Sequence, residues 1–270
     1  VTSPLIVTSA AATHTGMRRT LNEDAHLASA PVFIVADGMG GHEAGERASA
    51  AVAAEFARLV GREALTLDEV RQALASSRAA VEDLANHGAA RAGTTLSGVV
   101  IASVDGMGYW LAFNIGDSRT YRLAGGELEQ ITVDHSVIQE MLDDGELTPE
   151  QAVTDPRRNI ITRAIGAGST ADADYWLFPA ESGDRMLVCS DGLTSEVGDD
   201  RIREVLMQEP DAQRAADILT AAAVEAGGRD NVTVVVIDAL SVASHPGSIV
   251  HSDEVDDDTR PRERMKGGNR

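Results

Sequence analysis

Runs of apolar residues, and the places where they stop, divide this chain before any other feature does. Leu5 to Thr13 has the apolar content of a first strand, and Gly16 to Asp24, G-M-R-R-T-L-N-E-D, reads as a polar loop. Val32, Phe33, Ile34 and Val35 then form a β-branched and aromatic run that ends at Asp37, where three glycines in the next four residues let the backbone bend sharply. From Ala44 good helix formers continue to about Val60, with Glu43 and Glu46 near the start, where the positive end of a helix dipole favours acid. A second helix is predicted over Leu67 to Asn86 because Val70, Leu74, Val81 and Leu84 recur at helical spacing, with Thr66 or Asp68 as its N-cap.

From Gly93 the period changes to that of strands. Two apolar runs meet across Asp105-Gly106, and Ser118 to Leu123 meets Leu128 to Val133 across Gly125-Gly126, so two hairpins and an antiparallel sheet are expected. Ser136 to Asn159 is a mostly polar insertion with short helical pieces around Gly145 and Pro149, the kind of segment that covers a site. Tyr175 to Phe178 and Met186 to Cys189 read as strands, Asp199 to Gln208 and Asp211 to Ala226 as helices, and Val232 to Asp238 as a last strand. Helices in two blocks around a block of hairpins suggest a layered α+β fold, with helices packed outside antiparallel sheets. One domain over residues 1–240 fits this order. Residues 241–270, an acidic run from Asp253 to Asp258 and then a basic end, have too little apolar content to order themselves and are expected to be a disordered tail.

The 270 residues carry a formal charge of −20, which disfavours nonspecific attraction to nucleic acid or an anionic membrane and favours metal ions and cationic partners. Cys189 is the only cysteine, so an intramolecular disulfide and a thiolate zinc cluster are both excluded, and a reducing, cytosolic setting is the simplest expectation. Neither a secretion signal nor a membrane span is indicated.

Candidate chemistry lies in four aspartates that share one setting. Asp37 follows V-F-I-V-A, Asp117 follows L-A-F-N-I-G, Asp191 follows M-L-V-C-S and Asp230 precedes N-V-T-V-V-V-I, so each sits at one end of a buried-looking strand. Taken singly, each is ordinary turn chemistry, as Asp105-Gly106 is. As a set they can converge on one sheet rim, where their repulsion has to be offset by cations. With no cysteine or paired histidine beside them, Mg²⁺ or Mn²⁺ fits better than Zn²⁺.

The ordered blocks R-T-L-N-E-D (19–24), A-D-G-M-G-G-H-E-A-G-E-R-A-S (36–49), G-T-T (93–95), N-I-G-D-S-R-T-Y (114–121), T-V-D-H-S (132–136), I-T-R-A-I-G (161–166), C-S-D-G-L (189–193) and G-G-R-D-N-V-T (227–233) resemble the type-2C (PPM) metal-dependent protein serine/threonine phosphatases in their bacterial form. The resemblance implies a four-layer α-β-β-α sandwich of two antiparallel sheets flanked by helices. It implies two core Mn²⁺ or Mg²⁺ ions, with Asp37 bridging them, the Gly38 carbonyl on the second, Asp191 and Asp230 completing the first, and Glu23 acting through water. Asp117, with Asp191, would hold a weaker third ion, and Arg19 would pair with the substrate phosphate, a task suited to a planar cationic fork. Residues 136–159 fall where the family has its flap; Arg157, Arg158 and Arg163 could help attract phosphate, with a solvated surface role the preferred reading for the first two.

The mechanism so implied is attack on phosphorus by a metal-activated water without a covalent phosphoenzyme. Cys189, inside a strand with no basic partner, is therefore not the nucleophile. Where the eukaryotic branch has a histidine after Asp-Gly, this chain has Met39; His42 follows three residues later as a candidate catalytic proton donor, or as a structural residue of the bend, with a metal-bound water as the other source. His26 and His135 read as structural. The expected function is hydrolysis of phosphoserine and phosphothreonine in proteins, opposing serine/threonine kinases, by a cytoplasmic monomer that binds neither nucleic acid nor membrane. The alternatives are a catalytically silent phosphoprotein-binding or scaffold member, which would usually have lost metal-site carboxylates, and a small-molecule phosphoester hydrolase.

Overall fold

The computed structural model describes residues 3–40, 43–86, 92–152, 155–169 and 172–243. In chain order these form β1 (Leu5–His14), β2 (Asp24–Ser29), β3 (Val32–Met39), α1 (Glu43–Ala57), α2 (Leu67–Asn86), β4 (Gly93–Thr94), β5 (Leu96–Val104), β6 (Met107–Ile115), β7 (Arg119–Ala124) and β8 (Glu127–Gln130). The chain continues with α3 (Val137–Asp143), α4 (Pro149–Ala152), β9 (Ile165–Gly166), β10 (Asp174–Pro179), β11 (Arg185–Cys189), α5 (Asp191–Thr194), α6 (Asp199–Gln208), α7 (Ala212–Ala226) and β12 (Val232–Val242).

Two antiparallel sheets carry the strands, one in the order β1-β12-β11-β7-β8 and the other in the order β10-β6-β5-β3-β4-β9, with β2 also paired to β3. Their layering follows from strands that are apolar on both faces. In β3, Val32 and Ile34 pack with Val52 and Phe56 of α1 and with Val70 and Val81 of α2. The alternate residues Phe33 and Val35 point the other way, to Met186 and Val188 of β11 and Val235 and Ile237 of β12. In those strands Leu187, Cys189, Val234 and Val236 in turn meet Ile202 and Leu206 of α6 and Leu219 of α7. A side-chain period of two thus sends alternate residues of one strand into different cores, which is why these segments read as continuous apolar runs. The result is the expected α-β-β-α sandwich.

Both expected hairpins form. Asp105 and Gly106 have φ of 52° and 82°, and Gly125 and Gly126 have 57° and 85°, the left-handed pairs that a two-residue turn between twisted strands requires. Thr66 caps α2, its hydroxyl accepting from the Glu69 amide at 3.3 Å while Glu69 returns a carboxylate to the Thr66 amide at 2.8 Å.

Several details differ from the sequence expectation. Asp24–Ser29 is a strand on the edge of β3 rather than part of a connection, held by pairing that its half-buried, short-chained sequence barely signals. The first helix ends at Ala57, three residues early, in a turn rather than at Val60. Strand β8 stops at Gln130 because the chain beyond it is drawn over the end of β6, where Asn114 Nδ2 donates to the Val133 carbonyl and the His135 amide donates to Gly116. A single helical turn, α5, starts directly at Asp191. The insertion contains α3, capped by the Ser136 hydroxyl, and α4. Strand β12 runs on to Val242, and the expected tail lies, but for its first three residues, outside the described residues. No helix among the described residues is long and apolar enough to cross a membrane.

Phe56 is fully buried and stacks on Phe113 of β6 with centroids 5.4 Å apart, tying α1 to the sheet beneath it. Phe56→Ala is expected to cost about 3–5 kcal/mol of unfolding free energy. Urea denaturation checks this, and a loss below about 1 kcal/mol would contradict the packing described.

Candidate metal centre

Antiparallel pairing decides which strand ends meet. The C-terminal ends of β3, β6 and β11 and the N-terminal ends of β2 and β12 fall on one rim, because β3 and β6 both run antiparallel to β5, β2 antiparallel to β3, and β11 antiparallel to β12. That rim carries Asp37, Asp117, Asp191, Asp24 and Asp230, and the loop before β2 brings Arg19 and Glu23 to it.

Main-chain contacts fix Asp37. Its amide donates to Thr95 Oγ1 at 3.1 Å, and its carbonyl accepts from the Thr95 amide at 2.9 Å and from Thr94 Oγ1 at 2.9 Å. At the next residue three backbones converge: a Cβ on Gly38 would fall 2.3 Å from the Gly45 carbonyl oxygen and 2.6 Å from that of Glu23. Only a glycine lets the start of α1 and the Glu23 loop sit this close to the end of β3. Across the rim, Ser190 Oγ and Thr233 Oγ1 donate to Asp24 Oδ2 at 2.9 and 2.7 Å, bonding one sheet to the other. Asp191 opens α5. Asp230 Oδ2 accepts from Arg19 Nη2 at 2.7 Å and its Oδ1 from the Asn231 amide at 2.8 Å.

Lost hydration dominates the electrostatics. Burial pushes the Asp37 carboxyl well above the ordinary range, reinforced by the charges of Asp24, Asp191 and Asp117. Burial likewise raises Asp24 to about 7 against the hydrogen bonds from Thr233 and Ser190, Asp117 to about 8 with Asp191 adding to it, and Asp191 to about 6 with Asp230 adding to it. Glu23 is also raised by burial. Among the described residues no three acidic, histidine or cysteine groups form a finished cage. Glu23 Oε1, Asp24 Oδ1 and Asp191 Oδ1 nevertheless are enclosed without any hydrogen-bond partner. Unpartnered carboxylate oxygens gathered at one place, with no nitrogen or sulfur donor among them, fit a hard divalent cation.

A cleft of about 340 Å³ runs from Asp117 and Asp191 to the insertion, where Ile138, Gln139, Leu142, Arg158 and Asn159 line it. Of the other arginines considered, Arg157 is engaged with Asp155 at 2.8 Å and Arg163 with Asp174 at 3.1 Å. His135 accepts from the Gly116 amide and contacts Asp174, so it ties the base of the insertion to the end of β6. Cys189 faces the α6–α7 core, its thiol pushed up to about 12 by burial. Met39 ends β3, paired with Gly93, and His42 lies outside the described residues. Sequence reasoning passed over Asp24, Thr95, Ser190 and Thr233 as participants. Their only signal was membership in the N-E-D, G-T-T, C-S-D-G and D-N-V-T blocks.

A family model described as protein phosphatase 2C matches residues 13–222. The serine/threonine protein phosphatase PstP of Mycobacterium tuberculosis is 39% identical over 240 residues, which cover 87% of this chain and 46% of that protein; the chain thus spans about half the length of this relative. Protein phosphatase PhpP of Streptococcus pneumoniae is 36% identical over 236 residues, covering 83% of this chain and 94% of that protein. The crystal structure of the PstP catalytic domain in complex with two manganese ions matches with a TM-score of 0.80 at 36% identity, covering 88% of this chain and all of that one.

Raised carboxyl values bear on stability. Asp24, Asp117 and Asp191 hold protons in the folded state at pH values where the unfolded chain, near pKa 4, has released them, so stability falls as pH rises through the folded values. With EDTA present, melting temperature is expected to rise as pH is lowered from 8.5 to 7, by about 3–5 °C per pH unit for each proton held. This window stays above the range where His26 and His135, both lowered by burial, would act in the opposite sense. Mn²⁺ competes with those protons, so its stabilising shift should be largest at pH 8.5. Scanning fluorimetry with and without Mn²⁺ checks both trends, and a shift that grows toward acid would contradict them.

Proposed function

This chain belongs to the protein phosphatase 2C family, and from that premise we propose that it is a metal-dependent phosphatase acting on phosphoserine and phosphothreonine in proteins. The observation that carries the reading is the single rim at which Asp37, Asp117, Asp191, Asp230 and Glu23 gather, with unpartnered oxygens among them and the half-exposed Arg19 alongside. Asp37, the Gly38 carbonyl, Asp191 and Asp230 would hold two Mn²⁺ or Mg²⁺ ions, Glu23 would act through water, and Asp117 with Asp191 would hold a weaker third ion. When bound, such ions supply an acidified water as nucleophile and neutralise charge on the phosphoryl group.

The chain's own residues do the rest. Thr94 and Thr95 hold the Asp37 backbone by three hydrogen bonds, so the position of its carboxylate is preorganised. Arg19 presents a planar fork at the solvent side of the rim, where it can exchange its contact with Asp230 for two phosphoryl oxygens. Water adds to phosphorus and gives up a proton to solvent, the bond from phosphorus to the serine or threonine oxygen breaks, and that oxygen takes up a proton, for which His42 is the chain's own candidate donor. Ile138, Leu142 and Arg158 form the wall against which the peptide around the phosphoresidue lies. The protein works as a monomer in the cytosol on substrates phosphorylated by serine/threonine kinases; the lone buried Cys189 supports a reducing setting, and the −20 charge opposes binding to nucleic acid or anionic membrane.

Phosphate release from a phosphothreonine peptide with Mn²⁺ tests this. EDTA should abolish release, Asp37→Asn should lower it at least about 100-fold, and Arg19→Ala should reduce kcat/KM by about 100-fold. Release that survives the chelator or the Asp37 substitution sinks the mechanism. Peptide binding without release would favour a silent scaffold, and turnover of small phosphoesters alone would favour a different hydrolase.

A further inference from the structure

The segment from Thr15 to Glu23 carries two residues of the proposed site, Arg19 and Glu23, yet belongs to no strand or helix. The Met17 amide bonds the Gly228 carbonyl, and the Glu23 carbonyl accepts from the Gly38 amide and the Ser49 hydroxyl; one side chain adds three further bonds spread along the segment. Asn231, 4% exposed, accepts from the Glu23 amide at its Oδ1 at 2.8 Å and donates from Nδ2 to the Thr15 and Leu21 carbonyls, each at 2.9 Å. Its own amide donates to Asp230 Oδ1 at 2.8 Å. On the other side, a Cβ on Gly192 would fall 1.9 Å from the Asn231 carbonyl oxygen, so the turn that begins at Asp191 is seated directly on this residue. Both ends of one carboxamide are saturated by the backbone of a loop more than 200 residues away, and its main chain touches the elements that carry Asp230 and Asp191.

We propose that Asn231 is a positioning residue that sets the place of the Arg19 arm and of Glu23 relative to Asp230 and Asp191, so that phosphate affinity and metal affinity depend on the same amide. The proposal rests on the phosphatase reading for its kinetic consequences, but the anchoring itself does not. A carboxamide suits this task because it offers an acceptor to an N–H and two donors to carbonyls at one point. An aspartate of the same shape would keep the bond to Glu23 but set a negative oxygen against two carbonyls.

The test compares Asn231→Ala and Asn231→Asp with the parent protein by hydrogen–deuterium exchange and by kinetics. In both variants, amides of residues 15–23 should exchange at least about tenfold faster while those of β12 and β11 keep their protection, the tenfold matching the loss of about one hydrogen bond's worth of restraint. The KM for a phosphothreonine peptide and the Mn²⁺ concentration for half-activation should each rise about 10-fold or more, while kcat at saturating Mn²⁺ and peptide stays within about 3-fold. Asn231→Asp behaving as the parent would overturn the proposal, because shape alone would then suffice. So would a uniform loss of protection across the sheets, which would make Asn231 a core residue only, or a fall in kcat with KM and Mn²⁺ demand unchanged. A parent without phosphatase activity whose variants still lose protection only in residues 15–23 would refute the phosphatase reading while supporting the anchor.

Discussion

Carboxylates crowded where water hydrates them poorly are the constraint on which this structure turns. Asp24, Asp37, Asp117 and Asp191 are all shifted upward, with burial as the largest cause in every case and neighbouring carboxylates adding to it. Such a cluster opposes folding unless something returns the lost solvation. The chain returns part of it with hydroxyls: Ser190 and Thr233 both donate to Asp24 Oδ2. Oxygens left over on Glu23, Asp24 and Asp191 mark how far the protein alone falls short, and a hard cation is what completes the balance.

Tolerating that cluster requires a scaffold whose stability comes from elsewhere. Three separate apolar clusters, two between a sheet and its helices and one between the sheets, supply it. Because alternate residues of β3, β11 and β12 enter different cores, a shift of register by one residue would swap their contents, so the strand ends that carry Asp37, Asp191 and Asp230 are fixed to the same precision as the cores. The rim geometry is therefore a consequence of packing well below it.

What sequence made legible was whatever depends on local pattern. The apolar runs of β3 and β12, the helical spacing of α2 and the Asp-Gly and Gly-Gly turns all advertise themselves within ten or twenty residues, and the four aspartates stood out because each punctuates such a run. Less visible was everything made by side chains reaching backbone far away in the chain. Strand β2 is an edge element whose conformation comes from its partner, so A-H-L-A-S shows little alternation in polarity. Asp24 looked like the second acid of N-E-D until its bonds to Ser190 and Thr233 of the facing sheet were seen, and Asn231 carried no signal beyond following Asp230. The one resemblance-based expectation about proton delivery, at His42, concerns a residue outside those described, whereas Met39 is fixed in the β3–β4 ladder and its thioether has no proton to give.

Charge balance at the rim sharpens what the metals would contribute. A phosphorylated peptide is an anion approaching a protein of formal charge −20, but charges more than about 8 Å from the site are largely screened at physiological ionic strength. The local sum decides the encounter. Asp37, Asp117, Asp191, Asp230 and Glu23, when ionised, repel phosphate together, and Arg19 alone, already paired to Asp230, cannot reverse that field. Two divalent ions with the arginine would offset these five carboxylates, leaving Asp24 to its two hydroxyl partners, and would relieve Asp230 of its claim on the guanidinium. Metal occupancy in the proposed centre would therefore act before the chemical step, by freeing Arg19 and by turning a repelling rim into one that an anionic phosphoryl group can enter.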